Sequence, residues 1–104
     1  EGLVMNHYDE SSFSRYSGRF DDAFALSGAP WPDTFFNDSF EVYGSDWTGG
    51  LLEEFAKEHG YRLESMLPEF LGEGDPEISA RVVTDYRETL ARLLEENFTR
   101  PWTY

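Results

Sequence analysis

FFNDSFEVYGSDWT, residues 35 to 48, carries Asp38, Glu41, Asp46 and Trp47 directly behind a run of phenylalanines. Carboxylates this close together can do general acid–base work, hold hydroxyl groups, or do no more than keep a surface segment solvated. Read as a strand, the stretch puts Phe36, Asp38, Phe40 and Val42 on one face and Phe35, Asn37, Ser39 and Glu41 on the other. The second face turns polar toward its end, so Glu41 is the better catalytic candidate. Asp38, among phenylalanines, reads as a loop or helix clamp, because a carboxylate there is tolerated only when hydrogen-bonded. Trp47 can stack on a sugar ring or anchor the helix that follows it. A second group, His7, Asp9 and Glu10, offers an imidazole and carboxylates to a metal or to sugar hydroxyls. A half-buried His7 and a helix-capping Asp9 are the plainer readings. His59 falls near a helix C-terminus, where it suits the dipole, and receives no catalytic role.

These side chains need elements to hold them. Residues 3 to 8, LVMNHY, have the pattern of a short strand. Phe13, Tyr16, Phe20 and Phe24 then recur at helical spacing, with Gly18 inside the stripe. Residues 27 to 33, SGAPWPD, break that helix. The quoted stretch supplies a second strand, which makes a βαβ unit with parallel strands and a right-handed crossover. Leu51, Leu52, Phe55, Ala56 and His59 line one face of a following helix, with Thr48 as the expected N-cap and Gly60 as a left-handed C-cap. Residues 65 to 71 predict a short helix with Pro68 in its first turn. Asp75, Pro76 and Glu77 form a strong helix start, and Ile78, Val82, Tyr86, Leu90, Leu93 and Leu94 its apolar stripe. Arg81/Asp85 and Glu88/Arg92 are spaced four apart on the outer faces.

Charge narrows the partners. With 21 acidic and 8 basic side chains the net charge is −13, which repels nucleic acid and anionic membrane surfaces. No apolar run approaches the roughly 20 residues that span a bilayer. The absence of cysteine rules out disulfides and thiolate chemistry. The sequence contains no G-x-S-x-G elbow, H-E-x-x-H, P-loop or G-x-G-x-x-G. It opens with neither an initiator Met nor a signal peptide, and so reads as a piece of a longer protein.

Several short motifs in order resemble one family. Asp38-Ser39-Phe40-Glu41, Asp46-Trp47-Thr48, Phe55 with Gly60-Tyr61, and Leu67-Pro68 are similar to the D-S-W-E, N-W-T, F-x(4)-G-Y-D and L-P succession of glycoside hydrolase family 106, the α-L-rhamnosidases and their relatives. Asp85 to Leu90, DYRETL, resembles the D-x-R-x-T-L of that family's following helix, and Asp9 with Ser11 the acidic end of an earlier strand. Phe40 stands for Trp, Asp46 for Asn and Arg62 for Asp, which affects substrate contacts near the loop.

The resemblance implies that residues 1 to 104 are one fragment of a catalytic (β/α)8 (TIM-type) barrel, an α/β fold of about 250 residues when complete. It implies an inverting, secreted or periplasmic enzyme acting on an oligosaccharide or polysaccharide, associated with calcium at the sugar site. Glu41 is then the general acid, Asp9, Asp38, Asp46 and Trp47 are substrate-binding, and the second carboxylate lies outside the chain or is Asp9. Metal ligands are not assigned. The alternative from another class is a non-catalytic acidic α/β module that binds carbohydrate or a basic protein partner.

Overall fold

Asp75 starts the longest helix. Its side chain accepts hydrogen bonds from the backbone N–H groups of Glu77 (2.8 Å) and Ile78 (3.2 Å), with Pro76 at the first helical position. In the computed structural model, which describes residues 3–103, this helix (α4) runs over Pro76–Leu94. Three helices precede it: α1 (Glu10–Ser27), α2 (Leu51–His59) and α3 (Leu67–Phe70), with a 3₁₀ turn at Leu63–Met66 before α3. Beyond α4 the chain passes through a π-helical turn, Glu95–Thr99, into α5 (Arg100–Thr103). Replacing Asp75 by Ala is expected to lower stability by about 1 kcal/mol, read as a lower urea midpoint at unchanged m. An unchanged midpoint would show that Pro76 and Glu77 set the helix start alone.

The core forms where α2 crosses α4. Leu51 and Phe55 on α2 are 0% exposed and pack with Val82, Tyr86 and Leu93 of α4, Leu63 of the 3₁₀ turn and Tyr8. Gly60 ends α2 as expected, at φ 76, with its N–H on the Ala56 carbonyl (3.0 Å). Thr48 is not the N-cap of α2. That position is Gly50 at φ 80, and the Thr48 hydroxyl instead accepts from Asn6 Nδ2 (3.0 Å).

Beside the core, Arg92 gathers three carboxylates: Glu58 (3.0 Å), Glu54 (3.1 Å) and Glu96 (2.9 Å). Burial pushes the Glu58 carboxyl up, but the Thr89 hydroxyl and Arg92 more than offset this and hold it below its ordinary value of 4.5. Hydrogen bonds from Lys57 and then Arg92 also lower Glu54. A carboxyl depressed in the folded state binds fewer protons there than in the unfolded chain. Its contribution is therefore complete above the ordinary carboxylate range and is lost as pH falls through it. The urea midpoint is expected to fall as pH drops below about 4.5, and to fall less steeply in Arg92→Met. Parallel pH profiles for the two proteins would contradict this.

The expected sheet is not there. Among the described residues no strand forms, so the fold is all-helical, not an α/β fragment of a (β/α)8 barrel, and the βαβ unit with parallel strands does not exist. Among the described residues no backbone hydrogen bond joins residues 3 to 8 to residues 35 to 42, although the His7 and Phe40 rings meet edge-on at 4.9 Å and those of Tyr8 and Phe40 at 6.4 Å. A strand is stable only when a neighbour takes its backbone groups. Here local bonds compete, because Asp38 Oδ1 accepts from the Ser39 N–H (2.7 Å) and Ser39 Oγ donates to Glu41 Oε1 (2.9 Å).

The α1 stripe makes a helix but finds no core. Ser12 is its one buried residue, and Tyr16 and Phe20 are about half exposed. Phe13, Tyr16, Phe20, Trp31, Phe35 and Phe36 line an open apolar groove of about 390 Å³ beside it. The radius of gyration is accordingly 17.8 Å, against about 13 Å for a compact domain of this size. No described helix is long and apolar enough to cross a membrane.

Candidate functional site

Three stretches distant in sequence meet at one end of the α2–α4 pair: residues 6 to 9, the loop ending at Thr48, and the π-helical turn. Two buried tyrosines join them. A tyrosine in a core needs a partner for its hydroxyl. Tyr8 OH donates to the Ser45 carbonyl (3.0 Å), and Tyr86 OH donates to the Asp46 carbonyl. Asn97 Nδ2, turned inward by the π turn, donates to the Tyr8 carbonyl (2.8 Å), and Asn6 Oδ1 accepts the Tyr8 N–H (3.1 Å). Burial, then the nearby Asp46 charge, raises the pKa of both tyrosines, so they stay protonated donors and hold the loop.

His7 lies between the edges of Phe40 (4.9 Å) and Phe98 (4.6 Å). Burial lowers its pKa, against a smaller opposing effect from the Met5 backbone, so the ring is neutral at neutral pH. Asp9 stands at the N-cap position of α1, its Oδ2 accepting from Ser11 Oγ (2.7 Å) and Ser12 Oγ (2.8 Å). Those bonds, with Arg15 at 3.6 Å, hold its carboxyl below the usual range. Next to it opens a cleft of about 460 Å³ lined by Tyr8, Asp9, Glu10, Thr48, Glu53 and Glu96, among others.

Of the residues singled out from the sequence, Asp9, Glu10 and Thr48 line this cleft, and the Asp46 carbonyl accepts from Tyr86, which does not line it. Glu41, Asp38 and Trp47 do not line it. Glu41 is exposed on the loop with its Oε1 held by Ser39, and Asp38 is an exposed turn residue, not a carboxylate buried among phenylalanines. The Trp47 side is open to solvent, at 55% exposure, so it does not anchor α2. Sequence reasoning missed Asn6, Tyr8, Tyr86 and Asn97. Tyr86 carried a usable signal, a phenol within a buried stripe that requires a hydrogen-bond partner.

The class is defined by comparison with known proteins. The family described as alpha-L-rhamnosidase, a family of glycoside hydrolases, matches residues 3–101. The chain belongs to glycoside hydrolase family 106. A protein of Formosa agariphila named "Putative beta-glucuronidase" is 38% identical over 63 residues, which is 59% of this chain and 5% of that protein. The chain thus spans a small part of that relative's length. No solved structure matches it.

Proposed function

We propose that the polypeptide carrying this chain hydrolyses an α-L-rhamnoside or a related glycosidic bond in an oligosaccharide or polysaccharide, with Glu41 as the proton donor. The observation that carries this reading is the family match over residues 3–101. Glu41 stands at the glutamate of the D-S-W-E pattern, on an exposed loop where a substrate can reach it.

In an inverting hydrolase the acid protonates the leaving oxygen while a second carboxylate, about 6.5–9.5 Å away, takes a proton from the attacking water. A base must be ionised. Asp9 meets that condition, since its hydroxyl partners Ser11 and Ser12 favour the charged form, and it is the internal alternative to a base elsewhere in the polypeptide. Ser39 Oγ, bonded to Glu41 Oε1, leaves the other oxygen for the substrate. Trp47, exposed beside Asp46, supplies a flat apolar surface for a sugar ring. A polymeric substrate of this kind is met outside the cytoplasm, which suits a secreted or periplasmic enzyme.

Calcium, which the family resemblance implies at the sugar site, takes 6–8 oxygen ligands. Among the described residues Asp9, Asp38, Glu41 and Asp46 include no three whose ligand atoms lie close enough for one ion. The carboxylates present do not by themselves make its shell.

The experiment is a substrate comparison on the full-length protein, with aryl α-L-rhamnoside and aryl β-glucuronide side by side and the product anomer followed by NMR. Faster release from the rhamnoside with inversion supports the reading. Preference for the glucuronide, the sugar in the relative's name, or retention of configuration, would overturn the substrate or the mechanism respectively.

A further inference from the structure

At the other end of α2, His59 meets α4 in an arrangement that a helix-dipole role does not explain. Thr89 is fully buried, and its hydroxyl donates its one hydrogen to Glu58 Oε2 (2.8 Å). Its oxygen can therefore only accept from His59 Nε2, which lies 3.1 Å away. That bond places a ring hydrogen on Nε2 and leaves Nδ1 as the ring atom that can bind a proton or a metal ion. Nδ1 faces a carboxylate. Nδ1 is 3.6 Å from Asp85 Oδ1, while Tyr61 OH (2.8 Å) occupies the other oxygen, Oδ2, and so orients the carboxylate.

A proton on Nδ1 makes this contact an ion pair, and a metal ion taking the place of that proton would bind the same two atoms. Glu88, one turn along α4 from Asp85, adds a third donor, and the three ligand atoms lie within 4.8 Å of one another. We propose that His59 Nδ1, Asp85 Oδ1 and a Glu88 carboxylate oxygen form a site for a divalent transition metal, with zinc the best fit, that staples the end of α2 to α4.

Ligand chemistry selects the metal. An imidazole nitrogen with two carboxylate oxygens suits zinc, whereas calcium takes oxygens only. Bonds of about 2.0–2.2 Å in a tetrahedral shell put neighbouring ligand atoms about 3.4 Å apart. The His59–Asp85 pair nearly meets that spacing at 3.6 Å. The exposed Glu88 offers its carboxylate within 4.8 Å of both. The outer partners are those a bound histidine and carboxylate require: Nε2–H on Thr89 and Oδ2 on Tyr61. His59 is nearly enclosed, at 11% side-chain exposure, and Glu88 is open to solvent, so the fourth position faces water.

The test is zinc titration of the full-length protein after treatment with a chelator, followed by calorimetry, by thermal unfolding and by the ring-nitrogen resonances of His59. Saturable binding is expected, weakened at least tenfold in Glu88→Gln and abolished in His59→Gln. Because Glu88 is exposed, its variant folds even if His59→Gln does not. At a hundredfold excess of zinc over Kd the Tm of the unfolding unit that holds this chain should rise by a few degrees. The Nδ1 resonance should shift while Nε2 stays protonated. Zinc binding that is absent, or unchanged in Glu88→Gln, or accompanied by a shift at Nε2 instead, would overturn the proposal.

Discussion

Replacing Glu41 by Gln in the full-length protein is expected to slow hydrolysis of a natural disaccharide by about 10²–10⁴-fold, the usual contribution of a positioned general acid. An activated dinitrophenyl glycoside should lose far less, because its leaving group departs without a proton. The loss requires no unfolding. Glu41 is exposed and its hydrogen bond is to the neighbouring Ser39, so the unfolding midpoint should move by no more than the ±0.5 kcal/mol typical of surface changes. Asp38→Asn should also leave stability nearly intact. The clamp expected of Asp38 from its strand position is only a turn contact to the Ser39 N–H. Equal slowing of both substrates by Glu41→Gln would make Glu41 the base or a sugar ligand. No slowing of either would make residues 35 to 48 a solvated rim.

Phe55→Ala is expected to destabilise the fold by about 3–5 kcal/mol. Phe55 is 0% exposed, its ring meets Tyr61 edge-on at 5.0 Å and His59 at 4.9 Å, and it sits at the centre of a seven-residue buried cluster. The core is small, so few neighbours can collapse into the space left behind. A domain of ordinary stability, about 5–15 kcal/mol, would lose a large share of it. Urea denaturation should show a lower midpoint with m retained if folding stays cooperative. A loss below about 1 kcal/mol would mean that the α2–α4 contact is not the principal source of stability. The same substitution moves His59, so zinc binding should weaken with it.

Local chemistry made α2 and α4 readable. An α-helix closes its hydrogen bonds four residues along the chain, so a cap such as Asp75, a stop such as Gly60 and a stripe such as Val82, Tyr86 and Leu93 report it without knowledge of the rest. The order of short motifs likewise carried the family, over nearly the whole chain. The stripe of α1 was readable as a helix, but not its exposure, because nothing in Phe13, Tyr16 and Phe20 says whether another element covers them. Residues 3 to 8 and 35 to 42 had the pattern of strands and did not become strands, since every hydrogen bond of a sheet is made with a distant neighbour and no pattern guarantees that neighbour. The contacts at the two ends of α2 were decided the same way. Tyr8 reaches Ser45, Asn97 reaches Tyr8, and His59 reaches Asp85 and Thr89 only once the chain has brought them together. The sequence by itself determined the helices, the acidic surface and the family. The tertiary structure decided which carboxylates share a site, because side-chain geometry between separate elements depends on packing that no local spacing encodes.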